Sequence, residues 1–78
     1  MKKPTLSQQL GACVRRLRQE AGESQTEFGE RCGFYQTYLS RVERGLANPT
    51  LNAIEVLAAA FGLTVVEFFA LVEQETQV

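Results

Sequence analysis

The stretch GFYQTYLSRVERG, residues 33–45, is the part of this 78-residue chain that best indicates its fold. Wound as an α-helix at about 100° per residue, it separates its side chains into two groups. The polar group covers roughly 140° of the circumference and consists of Gln36, Thr37, Ser40, Arg41 and Arg44. The apolar group covers roughly 100° on the opposite side and consists of Tyr35, Tyr38, Leu39 and Val42. The stretch therefore predicts a short helix over about 36–44 with one buried side and one side of amides, hydroxyls and guanidinium groups.

A second short helix precedes this one and is joined to it by a tight turn. Ser24-x-x-Glu27 has the spacing of a capping box, which marks the start of a helix. Gly33 can adopt the positive φ that ends it, because glycine has no Cβ. Two short helices joined in this way form a helix-turn-helix, in which the second helix projects its outer face.

The outer face of residues 36–44 has the chemistry of a surface that reads DNA. Glutamine can bond adenine and arginine can bond guanine through two hydrogen bonds each, and hydroxyl groups can bond either base. Phosphates would repel a carboxylate there, and Glu43 lies only at the edge of the face. The pattern favours insertion into the major groove. The alternative is a solvent-exposed helix face with no ligand.

Helical spacing continues through the rest of the chain. Residues 6–21, 51–61 and 65–73 each carry apolar residues three and four positions apart, and Leu51 begins the apolar side of the second of these segments. No segment alternates between polar and apolar residues over a useful length, as an exposed strand would. We therefore predict an all-α fold, a compact five-helix single domain over residues 1–78.

The inventory of side chains argues against an enzyme. The chain has no histidine and no aspartate, so all nine of its acidic residues are glutamates. That removes the commonest general base and the commonest zinc ligand. No cluster of cysteine and histidine remains to hold a metal. We expect no catalytic residues, no metal, no cofactor and no small-molecule ligand.

The two cysteines and the apolar segments bear on where the protein works. Cys13 and Cys32 could form one disulfide, but reduced thiols are favoured in a chain with no secretory signal. Residues 4–12 lack the apolar run of such a signal, and no run of about 18 apolar residues could cross a membrane. We expect a cytoplasmic protein that does not bind a membrane.

The net charge of −1 conceals a strong asymmetry along the chain. Residues 1–45 hold all eight lysines and arginines against five glutamates, which gives +3. Residues 46–78 hold four glutamates and no base, which gives −4. We expect the basic half to face a polyanion and the acidic end to lie away from it.

Five pieces of the sequence together resemble the Cro/C1-type, or XRE-type, helix-turn-helix family. They are VRRLR at 14–18, G-x-SQ-x-x-F at 22–28, G-x-x-x-x-x-LSRVERG at 33–45, NPTL at 48–51 and LTVVEFF at 63–69. The resemblance covers about residues 11–69 and implies a lambda-repressor-like fold whose second and third helices form the helix-turn-helix. It extends to small phage repressors and to controller proteins of restriction–modification systems. These families bind pseudo-palindromic operators as dimers.

The resemblance also assigns roles to individual residues. Gln25 matches a glutamine that contacts phosphate and the first residue of the recognition helix. Gln36, Thr37, Ser40 and Arg41 match positions that contact bases and the DNA backbone. Arg44 and Asn48 lie where the following loop meets the phosphate strand.

Arg18 and Glu43 match a family pair that forms a buried salt bridge between the first and third helices. That role explains a glutamate at the edge of a face that binds anions. The alternative is that the two are unrelated surface charges.

Two tyrosines depart from the family pattern and remain in the predicted DNA-binding set. Tyr35 stands where the family often has a serine or threonine cap, so its ring either packs or its hydroxyl reaches a phosphate. Tyr38 replaces a small residue and either contacts a thymine methyl group or shields the core. We favour packing for both.

The last predicted helix, about 65–73, is apolar around almost its whole circumference. A five-helix domain covers only one side of a terminal helix, so another side requires a partner. We assign Phe68 to the core of the protomer and predict a two-fold dimer interface at Val66, Phe69 and Val72. The alternative is that all of these residues fill the core.

The sequence thus predicts a homodimeric, sequence-specific transcriptional regulator, such as a repressor, whose partner is double-stranded operator DNA. The competing hypothesis is a protein-interaction module, such as an antitoxin-like partner. In that case the apolar last helix binds a different protein and DNA binding is secondary.

Overall fold

The computed structural model describes residues 3–76 as five α-helices without a strand. Their bounds are α1 Leu6–Glu20, α2 Gln25–Cys32, α3 Gln36–Glu43, α4 Leu51–Ala60 and α5 Val65–Gln74. The predicted all-α, five-helix fold is therefore confirmed, with each helix close to its predicted bounds. The two ends of the predicted domain 1–78, including Lys2 of the basic half, lie outside the described residues.

Local hydrogen bonds at the helix starts explain why these helices could be predicted from the sequence. Thr5, Ser24 and Thr64 each form a complete capping box with the glutamine or glutamate three residues later. In each box the hydroxyl accepts from a backbone amide, and the longer side chain accepts from the cap residue's own amide. Thr50 caps α4 through its hydroxyl, although without the returning bond. The start of α3 is different, because Tyr35 makes no side-chain capping bond.

One apolar cluster lies between the five helices. Its largest fully buried side chains are Phe28, Phe68, Leu39, Leu57, Val14, Val42 and Val72. The apolar side of α4 begins later than the sequence predicted, because Leu51 is 78% exposed. Leu51 is the first residue of α4, and the core lies one turn further along.

Both cysteines are free thiols, and burial raises the pKa of each. The Cys13 side chain is fully buried in the apolar cluster. It shares the inward side of α1 with Leu10, Val14 and Leu17, which also belong to or pack against the cluster.

Helix α1 crosses the end of α3 at a glycine. A Cβ at Gly11 would overlap the carbonyl oxygen of Val42 and lie 2.9 Å from the carbonyl oxygen of Glu43. Glycine therefore lets the two backbones approach more closely than any other residue would. This crossing sets the distance between α1 and the outer face of α3.

Among residues 3–76, no single helix combines the length and apolar character needed to cross a membrane. Helices α4 and α5 would meet those criteria only as a pair, which is bent by 87°.

Candidate nucleic-acid interface

The turn between α2 and α3 places α3 across α2 with its outer face free. Gly33 ends α2 with φ of 77°, and the amide of Phe34 donates to the carbonyl of Gly29 at 2.8 Å. A Cβ at Gly29 would lie 2.8 Å from the carbonyl oxygen of Phe34, so the turn can fold tightly against α2. These features are those of a helix-turn-helix, as the sequence predicted.

The side chains of α3 divide between core and solvent. Leu39 and Val42 are fully buried, while the outward residues Gln36, Thr37, Arg41 and Arg44 are exposed and Ser40 is half-buried. Asn48, in the loop that follows α3, is also exposed. The structure thus brings the predicted DNA-contacting residues of α3 together on one outer face.

Two hydrogen bonds hold the arginines of this face close to the backbone. Nη2 of Arg41 donates to the carbonyl of Leu46 at 3.0 Å, and Nε of Arg44 donates weakly to the carbonyl of Ser40 at 3.4 Å. Neither arginine is paired with a carboxylate among residues 3–76. Both keep donors for an incoming anion or base, since a guanidinium group carries five N–H groups.

The predicted ion pair between Arg18 and Glu43 is confirmed. Arg18 donates through Nε at 2.6 Å and through Nη2 at 2.9 Å to the two carboxylate oxygens of Glu43. The side chains of Arg18 and Glu43 are 11% and 2% exposed, so the pair is largely desolvated. Hydrogen bonding to Glu43 raises the pKa of Arg18 against the opposing effect of burial. Nη1 of Arg18 also donates to the carbonyl of Glu23 at 2.8 Å.

A chain of hydrogen bonds continues from this ion pair to the start of α3. Nε2 of Gln25 donates to Glu43 at 3.0 Å, and Nε2 of Gln36 donates to Oε1 of Gln25 at 2.6 Å. The buried carboxylate therefore orients Gln25, and Gln25 in turn orients Gln36 on the outer face. Sequence reasoning found the ion pair and both glutamines but missed the link between Glu43 and Gln25. No local signal joins Gln25 to Glu43, because the two residues are 18 positions apart in the chain.

The two tyrosines behave differently from each other. Tyr38 is half-buried and meets the Phe34 ring edge-on, with centroids 5.2 Å apart, so its predicted packing is confirmed. Tyr35 is 86% exposed, so the prediction that it packs was wrong. The reason is backbone geometry: Tyr35 is the N-cap residue, with extended φ and ψ of −67° and 146°. Its side chain does not follow the helical spacing that placed it on the apolar side.

The predicted dimer residues of α5 do not share one environment. Val66 is 79% exposed, and Phe69 is half-buried against the Phe68 ring. Val72 was wrongly assigned to a dimer interface, because it is 1% exposed and belongs to the core of the protomer. It lies four residues after Phe68 and so points to the same side of α5. Leu51 and Val65, the residue before Val66, line a cleft of about 450 Å³, which adds apolar surface that the sequence did not reveal.

The helix-turn-helix domain family matches residues 9–71, from α1 into α5. The chain belongs to this helix-turn-helix family. It is 47% identical over 58 residues to the HTH-type transcriptional regulator y4dJ of Sinorhizobium fredii, a match that covers 74% of this chain and 75% of y4dJ. It is also 33% identical over 67 residues to the control protein C.MunI of a Mycoplasma species, covering 85% and 90% of the two chains.

A solved structure of another regulator has nearly the same fold. The clp gene regulator ClgR of C. glutamicum superposes with a TM-score of 0.86 and 26% identity over 95% of each chain. The resemblance to XRE-type regulators is therefore confirmed, together with the placement of α2 and α3 as the helix-turn-helix. Five further curated relatives are longer proteins, and the matches span only 40–51% of their length.

Proposed function

We propose that this helix-turn-helix protein is a sequence-specific transcriptional regulator that acts in the cytoplasm as a homodimer. Each protomer would insert α3 into the major groove at one half of a pseudo-palindromic operator. The observation that carries the proposal is the outer face of α3. It gathers exposed amide, hydroxyl and guanidinium groups, and it holds no carboxylate free to repel phosphates.

Some of the groups around α3 can contact the DNA backbone, and others can contact the bases. Gln25 lies at the start of α2, whereas Arg44 and Asn48 follow the carboxyl end of α3. Phosphate strands would pass these two places, one on either side of α3. Such contacts fix the register of the protein on the duplex but carry no sequence information. Gln36, positioned by Gln25, and Arg41 have the chemistry to select bases. Exposed Tyr35 extends this surface at the start of α3, where its hydroxyl can reach a phosphate.

Replacing Arg41 by alanine tests the outer face directly. We expect the affinity for the selected operator to fall on the order of 10- to 100-fold, because one base-contacting arginine is worth about 1–3 kcal/mol of discrimination. Helicity and dimer mass should not change, since Arg41 is exposed and bonds only to a loop carbonyl. The measurement is a fluorescence anisotropy titration of a labelled duplex.

Arg31→Ala is the matched control, because it removes an arginine that lies on α2 and bonds to Glu23 and to the carbonyl of Ala60. Its operator affinity should stay within a factor of about two of the wild-type value. Undiminished binding by Arg41→Ala would show that the assigned face is wrong.

The proposed dimer would form through the start of α5. Val66 is exposed, Phe69 is half-buried, and the exposed Leu51 of α4 lines a cleft with Val65, the residue before Val66. A two-fold interface across this apolar surface would remove all three from water. It would also set two α3 helices about 34 Å apart, one turn of DNA.

Val66→Glu should convert the dimer to a folded monomer. Two carboxylates would face each other across the two-fold axis, but the side chain at position 66 is 79% exposed within the protomer, so its fold should be unaffected. Light scattering measures the mass, and circular dichroism measures the helicity. Leu6→Glu is the matched control: it places the same charge on an apolar residue of α1 that is 59% exposed, and it should remain dimeric.

The same exposed apolar residues support a second candidate function, an interaction module that binds a different protein through α5 with DNA binding secondary. It predicts that the purified wild-type chain is a monomer. In that case Val66→Glu would leave the mass unchanged, and the homodimer proposal would fail.

A further inference from the structure

The six arginines of the chain fall into two groups. Three have acidic partners: Arg16 bonds to Glu20 and Glu75, Arg18 to Glu43, and Arg31 to Glu23. The other three have no carboxylate partner among residues 3–76, and they are Arg15, Arg41 and Arg44. This protein carries nine glutamates against eight basic residues. Three guanidinium groups are therefore available to an anion from outside the protein.

Two of the unpaired arginines line the same cleft. It has a volume of about 510 Å³ and lies between α1 and the carboxyl end of α3, with Arg15 on one wall and Arg44 on the other. Gln8, Ala12 and Gln19 line the α1 wall with Arg15. These positions are three and four residues apart, so they form one face of the helix.

The other charged groups of the cleft are already ion-paired. Glu43 contributes to the lining, but both of its carboxylate oxygens accept hydrogen bonds from Arg18. Arg16 also contributes, and Glu20 and Glu75 bind its guanidinium group. The guanidinium groups of the lining that have no carboxylate partner among residues 3–76 are therefore those of Arg15 and Arg44.

The uncharged lining adds hydrogen-bond donors for an anion. Oε1 of Gln8 accepts from the backbone amide of Thr5 at 2.8 Å, which leaves the Nε2 group of Gln8 to donate elsewhere. Two guanidinium groups and an amide donor in one lining make a set that suits a backbone phosphate, because its two non-bridging oxygens carry the negative charge and accept from guanidinium groups.

We propose that this cleft binds a phosphate group of the DNA backbone, next to the bases that α3 reads, and that Arg15 is a DNA-contacting residue of α1. The inference rests on the proposed function. Arg44 connects the two surfaces, because it belongs both to the outer face of α3 and to the cleft. A strand leaving the end of α3 would pass from Arg44 to Arg15. Sequence reasoning did not assign Arg15 any role.

The salt dependence of DNA binding tests this inference. Arg15→Gln should reduce the slope of log affinity against log salt by about 0.9, the value for one lost phosphate contact. The loss of affinity should be the same for the selected operator and for an unrelated duplex, because phosphates are common to both. Arg15→Lys keeps the charge, so it should restore the slope.

The control is Arg31→Gln, which removes the same charge from the far end of α2 and should leave the slope at the wild-type value. An unchanged slope in Arg15→Gln would overturn the inference. So would binding of the wild-type protein to no duplex at all, although that result would refute the proposed function as well. Wild-type binding that responds to Arg41→Ala but not to Arg15→Gln would refute only the role of the cleft.

A second arm distinguishes backbone phosphate from free phosphate. The thermal unfolding midpoints of the wild-type protein and of Arg15→Gln are compared in inorganic phosphate and in chloride at equal ionic strength, without DNA. Stabilisation by phosphate that Arg15→Gln abolishes, together with an unchanged DNA salt slope, would identify a site for free phosphate and overturn the DNA assignment. A lower slope in Arg15→Gln supports the assignment.

Discussion

Replacing Arg18 by methionine should lower the free energy of unfolding by about 3–5 kcal/mol, the usual cost of breaking a buried ion pair on one side. Methionine retains most of the packing volume but leaves the Glu43 carboxylate, 2% exposed, without its counter-ion. The bond from Nη1 to the carbonyl of Glu23 is lost as well. A domain of this size has about 5–15 kcal/mol in total, so the variant should be close to unfolding. Urea denaturation followed by circular dichroism measures the change.

The double variant Arg18→Met with Glu43→Met separates the unpaired charge from the lost contacts. It removes both charges together, so it should be more stable than the single variant. Equal stability of the two variants would show that the unpaired carboxylate is not the cause. A single variant within about 1 kcal/mol of wild type would contradict the importance of the pair for stability.

Gly11→Ala should be the other severe substitution, with a loss of about 3 kcal/mol in the free energy of unfolding. In a solvent-exposed helix the same change would stabilise by about 1 kcal/mol. Here the new methyl group would overlap the carbonyl oxygen of Val42 and lie 2.9 Å from that of Glu43. Both are backbone atoms, so no side-chain rotation can relieve the overlap, and α1 has to move away from α3. Urea denaturation of the purified variant measures the loss.

Gly62→Ala controls for the general effect of adding a methyl group to a glycine. Gly62 has φ of 71° and no atom within 4 Å of the added Cβ, so the cost is backbone strain alone, about 1–2 kcal/mol. If Gly11→Ala were no more destabilising than Gly62→Ala, the close crossing of α1 and α3 would not be a tight constraint.

The two substitutions with the largest expected losses of stability, Arg18→Met and Gly11→Ala, affect the same contact between α1 and α3. Gly11 sets the distance between α1 and the end of α3, and the Arg18–Glu43 pair joins the same two helices. Glu43 then orients Gln25, which orients Gln36 on the outer face. The contacts that stabilise the α1–α3 packing are therefore continuous with the contacts that position the first residue of α3. Variants in this region should weaken DNA binding even where the protein remains folded.

The helices could be predicted because their signals are local. A capping box needs only residues within four positions of each other, and three of the five helices begin with one. The outer face of α3 followed from helical spacing alone, since its polar and apolar residues separate cleanly. The Arg18–Glu43 pair joins residues 25 positions apart. Only the family resemblance indicated it.

The predictions from sequence were wrong where tertiary packing or backbone geometry decides whether a side chain is buried. Val72 and Val66 are both valines of one apolar helix, and only the position of α5 against the other helices buries the first and exposes the second. Tyr35 does not lie on the apolar side of α3 that was predicted for it, because an N-cap residue lies outside the helical geometry. The cleft that holds Arg15 was not visible because it is formed by α1 together with the end of α3.

The central claim is that α3 of a dimer reads the sequence of an operator, and selection from a library of random duplexes tests it most directly. The purified wild-type protein would be used at about 0.15 M salt, where non-specific phosphate contacts are weakened. We predict enrichment of a two-fold-symmetric site with half-sites about ten base pairs apart, and loss of that enrichment in Arg41→Ala. Recovery of no preferred sequence by a folded, dimeric protein would contradict the account.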